Sequence, residues 1–341
     1  MVFSKAEYRR RIRNAQGWLR DLDALLVRCE QNLRYFTGVD SGRLLIWDSG
    51  AIFWLNEVYW DRVHNSYLNP IPYEKDCVKK FIYSRGFKKV GVDEVTLSHY
   101  NSFEPKLRRL IKPTDICENL RKIKSKAELE LLSVAGEIAS DAMRTVIESR
   151  VTGMTELELA ALVESQIRKS GSERPPFSSG MLCLSGPNTK YPHAPSTHRR
   201  IQKGDLLILD LGAVFHGYHS DMTRTIEIGR VSRQRHVLAG FVGELRKEAI
   251  DMIRVGGRIS EIHEYIERRI EERGYKFAHL SGHGVGLDIH EKPSIGPDEK
   301  DVFQNGMVFT IEPGIYTPDF GTRSEDTIAL VRGKKKVLTA C

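Results

Sequence analysis

The sequence predicts an α+β protein of two units, a small α/β unit over residues 1–118 and a larger mixed unit over residues 119–341. Three observations carry that reading. At 341 residues the chain is about twice the ~100 to 200 residues of an ordinary domain. Short apolar runs alternate with helical patterns as far as about residue 118, and beyond it the helices lengthen and acquire explicit start signals. Apolar residues at 40%, charged residues at 28%, 28 Gly and 13 Pro sit near globular averages, which argues against disordered, collagen-like and low-complexity chains.

The first unit opens on a basic amphipathic helix with apolar Ile12, Trp18, Leu19 and Leu22, followed by the apolar run Ala24 to Val27. Arg43 to Trp47 and Ala51 to Leu55 read as strands around the turn Asp48-Ser49-Gly50, and Lys89 to Val92 reads as another. Ile111 to Asp115 reads as a linker, because Pro113 disfavours helix at Lys112 and polar residues surround it. In the second unit Ser125 with Glu128, and Thr155 with Glu158, match the capping box that satisfies orphan N–H groups at a helix start. The first of these helices presents Leu129, Leu132, Ala135, Ile138 and Ala142 on one face, the second Leu157, Ala160, Ala161 and Ile167. Further helices are expected over 233–254 and 260–273, the latter stopped by Gly274. Strands are expected in LLILDLG, DMTRTIEI, VFTIEPGIY and DTIALV, and no fixed-period repeat points to a solenoid or propeller.

Charge and cysteine usage narrow the function classes. The net charge of +7 includes +5 in residues 1–118, and the clusters YRRRIR and Lys334 to Lys336 read as solvated surface, so no nucleic-acid partner is expected. Cysteines 29, 77, 117, 183 and 341 form no CxxC pair and are odd in number, which fits neither a disulfide framework nor a thiolate zinc site. A cytoplasmic location follows as the expectation. The N-terminal segment lacks an apolar h-region and no stretch approaches the ~18 apolar residues of a membrane span, so neither secretion nor membrane insertion is expected.

The strongest chemical signal is a set of acids inside apolar strands, where an unpaired charge is expensive to desolvate. Asp210 falls within Leu206-Leu207-Ile208-Leu209-Asp210-Leu211, Asp221 begins the strand Asp221 to Ile228, and a hairpin turning near Phe215 to Gly217 sets the two nearly opposite one another. Cross-strand neighbours have Cβ atoms about 4.5 to 5.5 Å apart, and two carboxylates at that distance repel unless a cation lies between them. Glu312 and Glu325 repeat the device around the Pro318-Asp319 turn. Two such hairpins form an oxygen-rich cage for divalent metals. His283 and His290 in SGHGVGLDIHE, and His193 in GPNTKYPHAP, add nitrogen donors that move the preference toward Mn, Co, Zn or Fe. His263 begins HEYIE, but Glu267 stands where the zinc-protease HExxH helix needs its second histidine, so His263 reads as surface helix. No GxSxG elbow or GxxxxGK[ST] loop is present, which argues against a serine hydrolase and a P-loop enzyme.

With LDLGA at Asp210, SDMTRT at Asp221, GHGVGLDIHE, TIEPGIY at Glu312 and Arg323-Ser324-Glu325-Asp326 in this order, the chain resembles the "pita-bread" metallopeptidases. That family includes Xaa-Pro aminopeptidases, Xaa-Pro dipeptidases (prolidases) and methionine aminopeptidases. Asn32 to Gly38 resembles the strand-and-turn motif of the creatinase-type N-terminal domain, so the resemblance covers nearly the whole chain. It implies a creatinase-like α/β domain at 1–118 and a pita-bread catalytic domain at 119–341. It further implies that Asp210, Asp221, His283, Glu312 and Glu325 hold two divalent metal ions per subunit (Mn, Co, Zn or Fe), with Asp221 and Glu325 bridging them.

The implied reaction is attack by a metal-bridging hydroxide on the bond between an N-terminal residue and a following proline, with short peptides as substrates and a homodimer as the assembly. His193 and His290 line the substrate side in this reading, Glu312 handles the proton, and Arg323 anchors a substrate carboxylate or a neighbouring acid. Creatinase shares the fold without the metal ligands, so the intact set here points to a metal-dependent enzyme. The N-terminal domain favours the proline-directed branch over methionine aminopeptidases. Ser294 departs from the arginine that prolidases often carry shortly after the second histidine. Two alternatives are a C–N hydrolase or lyase of the same fold acting on a small amino-acid derivative, and a non-catalytic peptidase-like binding module.

Overall fold

The computed structural model describes residues 3–63, 66–93 and 96–341. It divides into two compact units, residues 1–121 and 122–341. The expected boundary at 118 falls inside a helix whose Arg121 Nη1 donates to Asn32 Oδ1 at 2.8 Å, which holds those last residues to the first unit.

The first unit runs α1 (Lys5–Gly17), β1 (Ala24–Val27), α2 (Glu30–Thr37), β2 (Arg43–Trp47), β3 (Gly50–Leu55), β4 (Ile71–Pro72), α3 (Cys77–Ser84), β5 (Val90–Val92), α4 (Leu97–Ser102), α5 (Pro105–Arg108), β6 (Ile111–Pro113) and α6 (Ile116–Lys122). Its six strands form one sheet in the order β4-β3-β2-β1-β5-β6. The β1–β2 and β2–β3 pairs are antiparallel, while β5 and β6 lie parallel. Two expectations are corrected here. The supposed linker at 111–115 supplies edge strand β6, where Pro113 needs no N–H partner and Ile111 is buried. Asn32 to Gly38 is not strand and turn but most of α2, because Leu33 and Phe36 bury one helical face and Gly38, at φ 82°, closes the helix by donating to the Arg34 carbonyl.

The second unit contains α7 (Lys126–Glu148), α8 (Glu156–Lys169), β7 (Leu182–Ser185), β8 (Leu206–Leu211), β9 (Val214–Phe215), β10 (Tyr218–His219), β11 (Met222–Glu227), α9 (Arg233–Met252), α10 (Ser260–Glu271), β12 (His283–Gly284), β13 (Glu291–Ser294), β14 (Val308–Ile311), β15 (Gly314–Tyr316), β16 (Gly321–Arg323), β17 (Asp326–Val331) and β18 (Lys334–Val337). Both capping boxes form as the sequence predicts. The apolar face of α8 is rotated from the expected one. Leu157 and Ala161 are exposed, and Leu159, Ala160, Val163 and Ile167 are buried, because Glu156 rather than Leu157 turns inward.

Two main sheets result, β11-β8-β7 and β13-β12-β14-β17-β18. Leu159, Val163 and Ile167 pack with Leu207, Leu209 and Leu211 of β8, and Val242, Leu245, Ile262 and Ile266 of α9 and α10 pack with Phe309 and Ile311 of β14. Strand side chains alternate in direction, so Asp210 on β8 faces away from the α7–α8 layer. The same period turns Glu312, next after Ile311, away from the α9–α10 layer. Each fully buried Leu or Ile contributes roughly 1.5 to 3 kcal/mol, and these layers are what hold the acids in place. Lys334 to Lys336 form the exposed edge strand β18, where charge blocks edge-to-edge pairing.

Candidate metal centre

Asp210 sits at the centre of three paired strands, opposite Leu182 on one side and Thr223 on the other. The hairpin turn is His216-Gly217, both at positive φ (49° and 82°), which closes the Phe215–Tyr218 pair. A direct Asp210–Asp221 pair would centre the turn between Phe215 and His216; the centre lies one residue later, so the register differs by two and Asp221 is not opposite Asp210. Continuing the ladder sets Gly212 opposite Asp221, leaving the two aspartates as diagonal neighbours on one face. Glu312 and Glu325 do face each other, bracketed by the Ile311–Asp326 and Gly314–Arg323 pairs of a single register. The two hairpins are joined where Glu325 N donates to the Thr223 carbonyl at 3.0 Å and Thr223 Oγ1 donates to Glu325 Oε2 at 2.7 Å.

His283 enters from β12. Its Nδ1 lies 3.1 Å from the Gly284 carbonyl, so Nδ1–H donates there and the lone pair of Nε2 points at acids. Nε2 is 3.6 Å from Asp221 Oδ2 and 3.7 Å from Glu312 Oε1. Asp221, His283 and Glu325 offer ligand atoms all within 4.8 Å of one another. Burial and the neighbouring histidine hold the His283 imidazole neutral, pushing it down to about 3. Burial, with repulsion from Glu325, raises the Asp221 and Glu312 carboxyls well above the usual range, and burial with Asp210 pushes Glu325 up to about 8. Asp210 Oδ1 and Asp221 Oδ1 are buried with no hydrogen-bond donor among the described residues. Crowded acids, orphaned oxygens and a lone-pair nitrogen are the chemistry of a divalent-cation site, and these residues fit it.

His290 packs its ring edge-to-face on His283 at 4.2 Å, and both His290 and His193 are exposed. Partial burial of each ring lowers its imidazole even so, with Arg323 acting further on His193 and His193 on His290. Arg323 stands beside a neighbouring acid, one of its two expected partners. It is 2% exposed, and its guanidinium donates to Asp210 Oδ2 (2.5 Å), Thr223 Oγ1 (3.2 Å), the Pro192 carbonyl and Tyr316 Oη (both 3.0 Å). Asp210 is the neighbouring acid it holds. His263 is also corrected: it is buried, bonded to Ser281 Oγ at 3.0 Å and packed on Phe277.

Sequence reasoning missed Thr223, Tyr316 and His279. Thr223 and Tyr316 hold Arg323, and His279 lies 3.1 Å from Tyr316 Oη and 4.0 Å from Glu312 Oε2. Tyr316 stood inside a recognised motif, but nothing local marks His279, because its partners come from another strand.

Residues 130–332 match Metallopeptidase family M24, and residues 11–123 match the Creatinase/Prolidase N-terminal domain. The chain is 32% identical over 327 residues to an Xaa-Pro dipeptidase of Pyrococcus horikoshii and 33% identical over 328 residues to one of Pyrococcus furiosus, covering 93% of each chain in both cases. Among solved structures, an Xaa-Pro dipeptidase from Bacillus anthracis superposes with a TM-score of 0.92 at 29% identity, covering 98% of both chains. The expected pita-bread fold with a creatinase-like N-terminal domain is the fold of this protein.

Proposed function

Because the chain belongs to metallopeptidase family M24, we propose that it is a metal-dependent exopeptidase cleaving between an N-terminal residue and a following proline. The relatives called Xaa-Pro dipeptidase support this substrate class. The observation that carries the reading is the buried cluster in which Asp210 Oδ1 and Asp221 Oδ1 lack any donor among the described residues, beside a neutral His283. In this reading Asp210, Asp221, His283, Glu312 and Glu325 hold two divalent ions, of manganese, cobalt, zinc or iron. When bound, such ions act as Lewis acids and lower the pKa of water, which is the chemistry peptide hydrolysis needs.

The chain's own residues supply the rest. Glu312, whose Oε1 lies 3.7 Å from His283 Nε2 at the cluster, accepts the proton of the attacking water and returns it to the leaving proline nitrogen. His193 and His290, neutral at pH 7, donate hydrogen bonds to the scissile carbonyl from the open side of the cluster. Arg323 is a positioning residue that fixes Asp210. A homodimer in the cytoplasm completes the reading, and light scattering tests the assembly.

The decisive assay incubates the metal-loaded protein with Xaa-Pro dipeptides and Xaa-Pro-Yaa tripeptides and measures release of the first residue. Release is expected. No release from either substrate, with two metals bound, overturns the proposal. Cleavage of tripeptides alone identifies an aminopeptidase, and of dipeptides alone a dipeptidase. Ser294, whose N–H donates to Glu299 Oε2 at 3.3 Å, supplies no cation for a free carboxylate.

A further inference from the structure

The first unit carries a second concentration of charge with no part in the chemistry above. In the antiparallel β1–β2 ladder, Val27 pairs with Leu44, so the next step places Arg28 opposite Arg43 at the end of the two strands. Like charges directly opposite one another on neighbouring strands are unfavourable. These two line a pocket of about 270 Å³ with Leu26, Tyr73, Lys79 and Phe103.

The pocket's other charges are already engaged. Lys79 Nζ reaches Asp76 Oδ1 and Glu104 Oε2, each at 3.2 Å, and Tyr83 Oη donates to Glu104 Oε1 at 2.5 Å. Asp93, whose charge acts on Arg28, accepts the Arg28 and Cys29 backbone N–H groups and Asn32 Nδ2. The Arg28 guanidinium lies over the Phe103 ring at 5.0 Å, and its Nη1 is buried with no acceptor among the described residues. Arg43 lies 6.0 Å from the centre of the Tyr73 ring, and its Nη1 donates to the Gly42 carbonyl at 2.5 Å. Burial and Arg43 both push Arg28 below its ordinary value. Two guanidiniums plated against aromatic rings, over a floor that includes Leu26 and Phe103, present N–H groups in the planar fork that a carboxylate matches.

We propose that this pocket is a binding site for a small organic carboxylate with an apolar body, held by Arg28 and Arg43. The carboxylate neutralises the opposed arginines and supplies the acceptor that Arg28 Nη1 lacks. The apolar body lies on Leu26 and Phe103. The proposal is independent of the peptidase reading, since the pocket belongs wholly to the first unit.

Calorimetric titration of the metal-loaded full chain with N-acetyl-leucine and, separately, inorganic phosphate tests it. Saturable binding of N-acetyl-leucine is expected, tighter than that of phosphate. Arg43→Gln is expected to weaken it about tenfold or more, with metal content and peptide hydrolysis at wild-type levels. Arg28→Gln should do the same, and if that variant fails to fold, Arg43→Gln decides alone. Absence of saturable binding, binding unaffected by Arg43→Gln, or tighter binding of phosphate each overturns the proposal.

Discussion

Glu156 is fully buried at the start of α8, and its replacement by glutamine tests how the segment carrying His193 is held. Its Oε1 accepts Ser185 N (2.7 Å), Ser185 Oγ (2.8 Å) and Asn188 Nδ2 (3.1 Å). Oε2 accepts Asn188 Nδ2 (3.1 Å), Thr197 N (2.9 Å) and Thr197 Oγ1 (2.7 Å). Every partner is a donor, so only a carboxylate satisfies the shell with both oxygens. In Glu156→Gln the new amide must face either Ser185 N–H or Thr197 N–H, and neither backbone group can turn away. One buried N–H loses its acceptor, at about 1 to 3 kcal/mol, and charge-assisted bonds become neutral ones, so a loss of about 2 to 4 kcal/mol is expected. For a unit of this size that is a fall of roughly 4 to 15 °C in the melting temperature, read by calorimetry. Because Asn188 and Thr197 flank His193 in the chain, kcat/KM on Xaa-Pro peptides should fall about tenfold while metal content stays unchanged. A melting temperature within about 2 °C of wild type would refute the reasoning, since six contacts on one buried carboxylate would then be energetically idle.

Four further outcomes follow from the structure. Chelation should destabilise the protein, by about 3 kcal/mol where the free ion stood at a hundred times its dissociation constant, and re-addition of Mn²⁺ should restore it. Asp221→Asn should abolish stoichiometric metal by elemental analysis and remove that response to chelation; a retained response would show that the ions lie elsewhere. Gly212→Ala should cost about 3 kcal/mol or more by thermal unfolding, because its Cβ would sit 1.9 Å from the Ser220 carbonyl oxygen in the hairpin between the two aspartates. In a thiol titration of the native protein, exposed Cys341 should react first, while Cys117 and Cys183 stay silent until unfolding. Burial disfavours both thiolates, with Asp93 acting further on Cys117 and Glu156 on Cys183, and early labelling at either position would contradict this packing.

What the sequence determined by itself is whatever depends on local chemistry. The capping boxes at Ser125 and Thr155 close with near neighbours, the His216-Gly217 turn lies in the span the sequence marks, and an acid such as Asp210 inside an apolar strand announces its desolvation cost. Motif order carried the family and therefore the fold. Tertiary structure alone decided register and partnership. A turn centred one residue later than a direct Asp210–Asp221 pair requires set Asp221 two positions along the ladder, because strand pairing doubles any offset in the turn. Arg323 became the partner of Asp210 across 113 positions of chain, and His279 reached Glu312 from a loop with no motif. Glu156 was read only as an ordinary helix position, yet its shell comes from residues 29 to 41 positions away. Such contacts are set by how strands and helices stack, and no local propensity in the sequence encodes which distant residue will stand opposite.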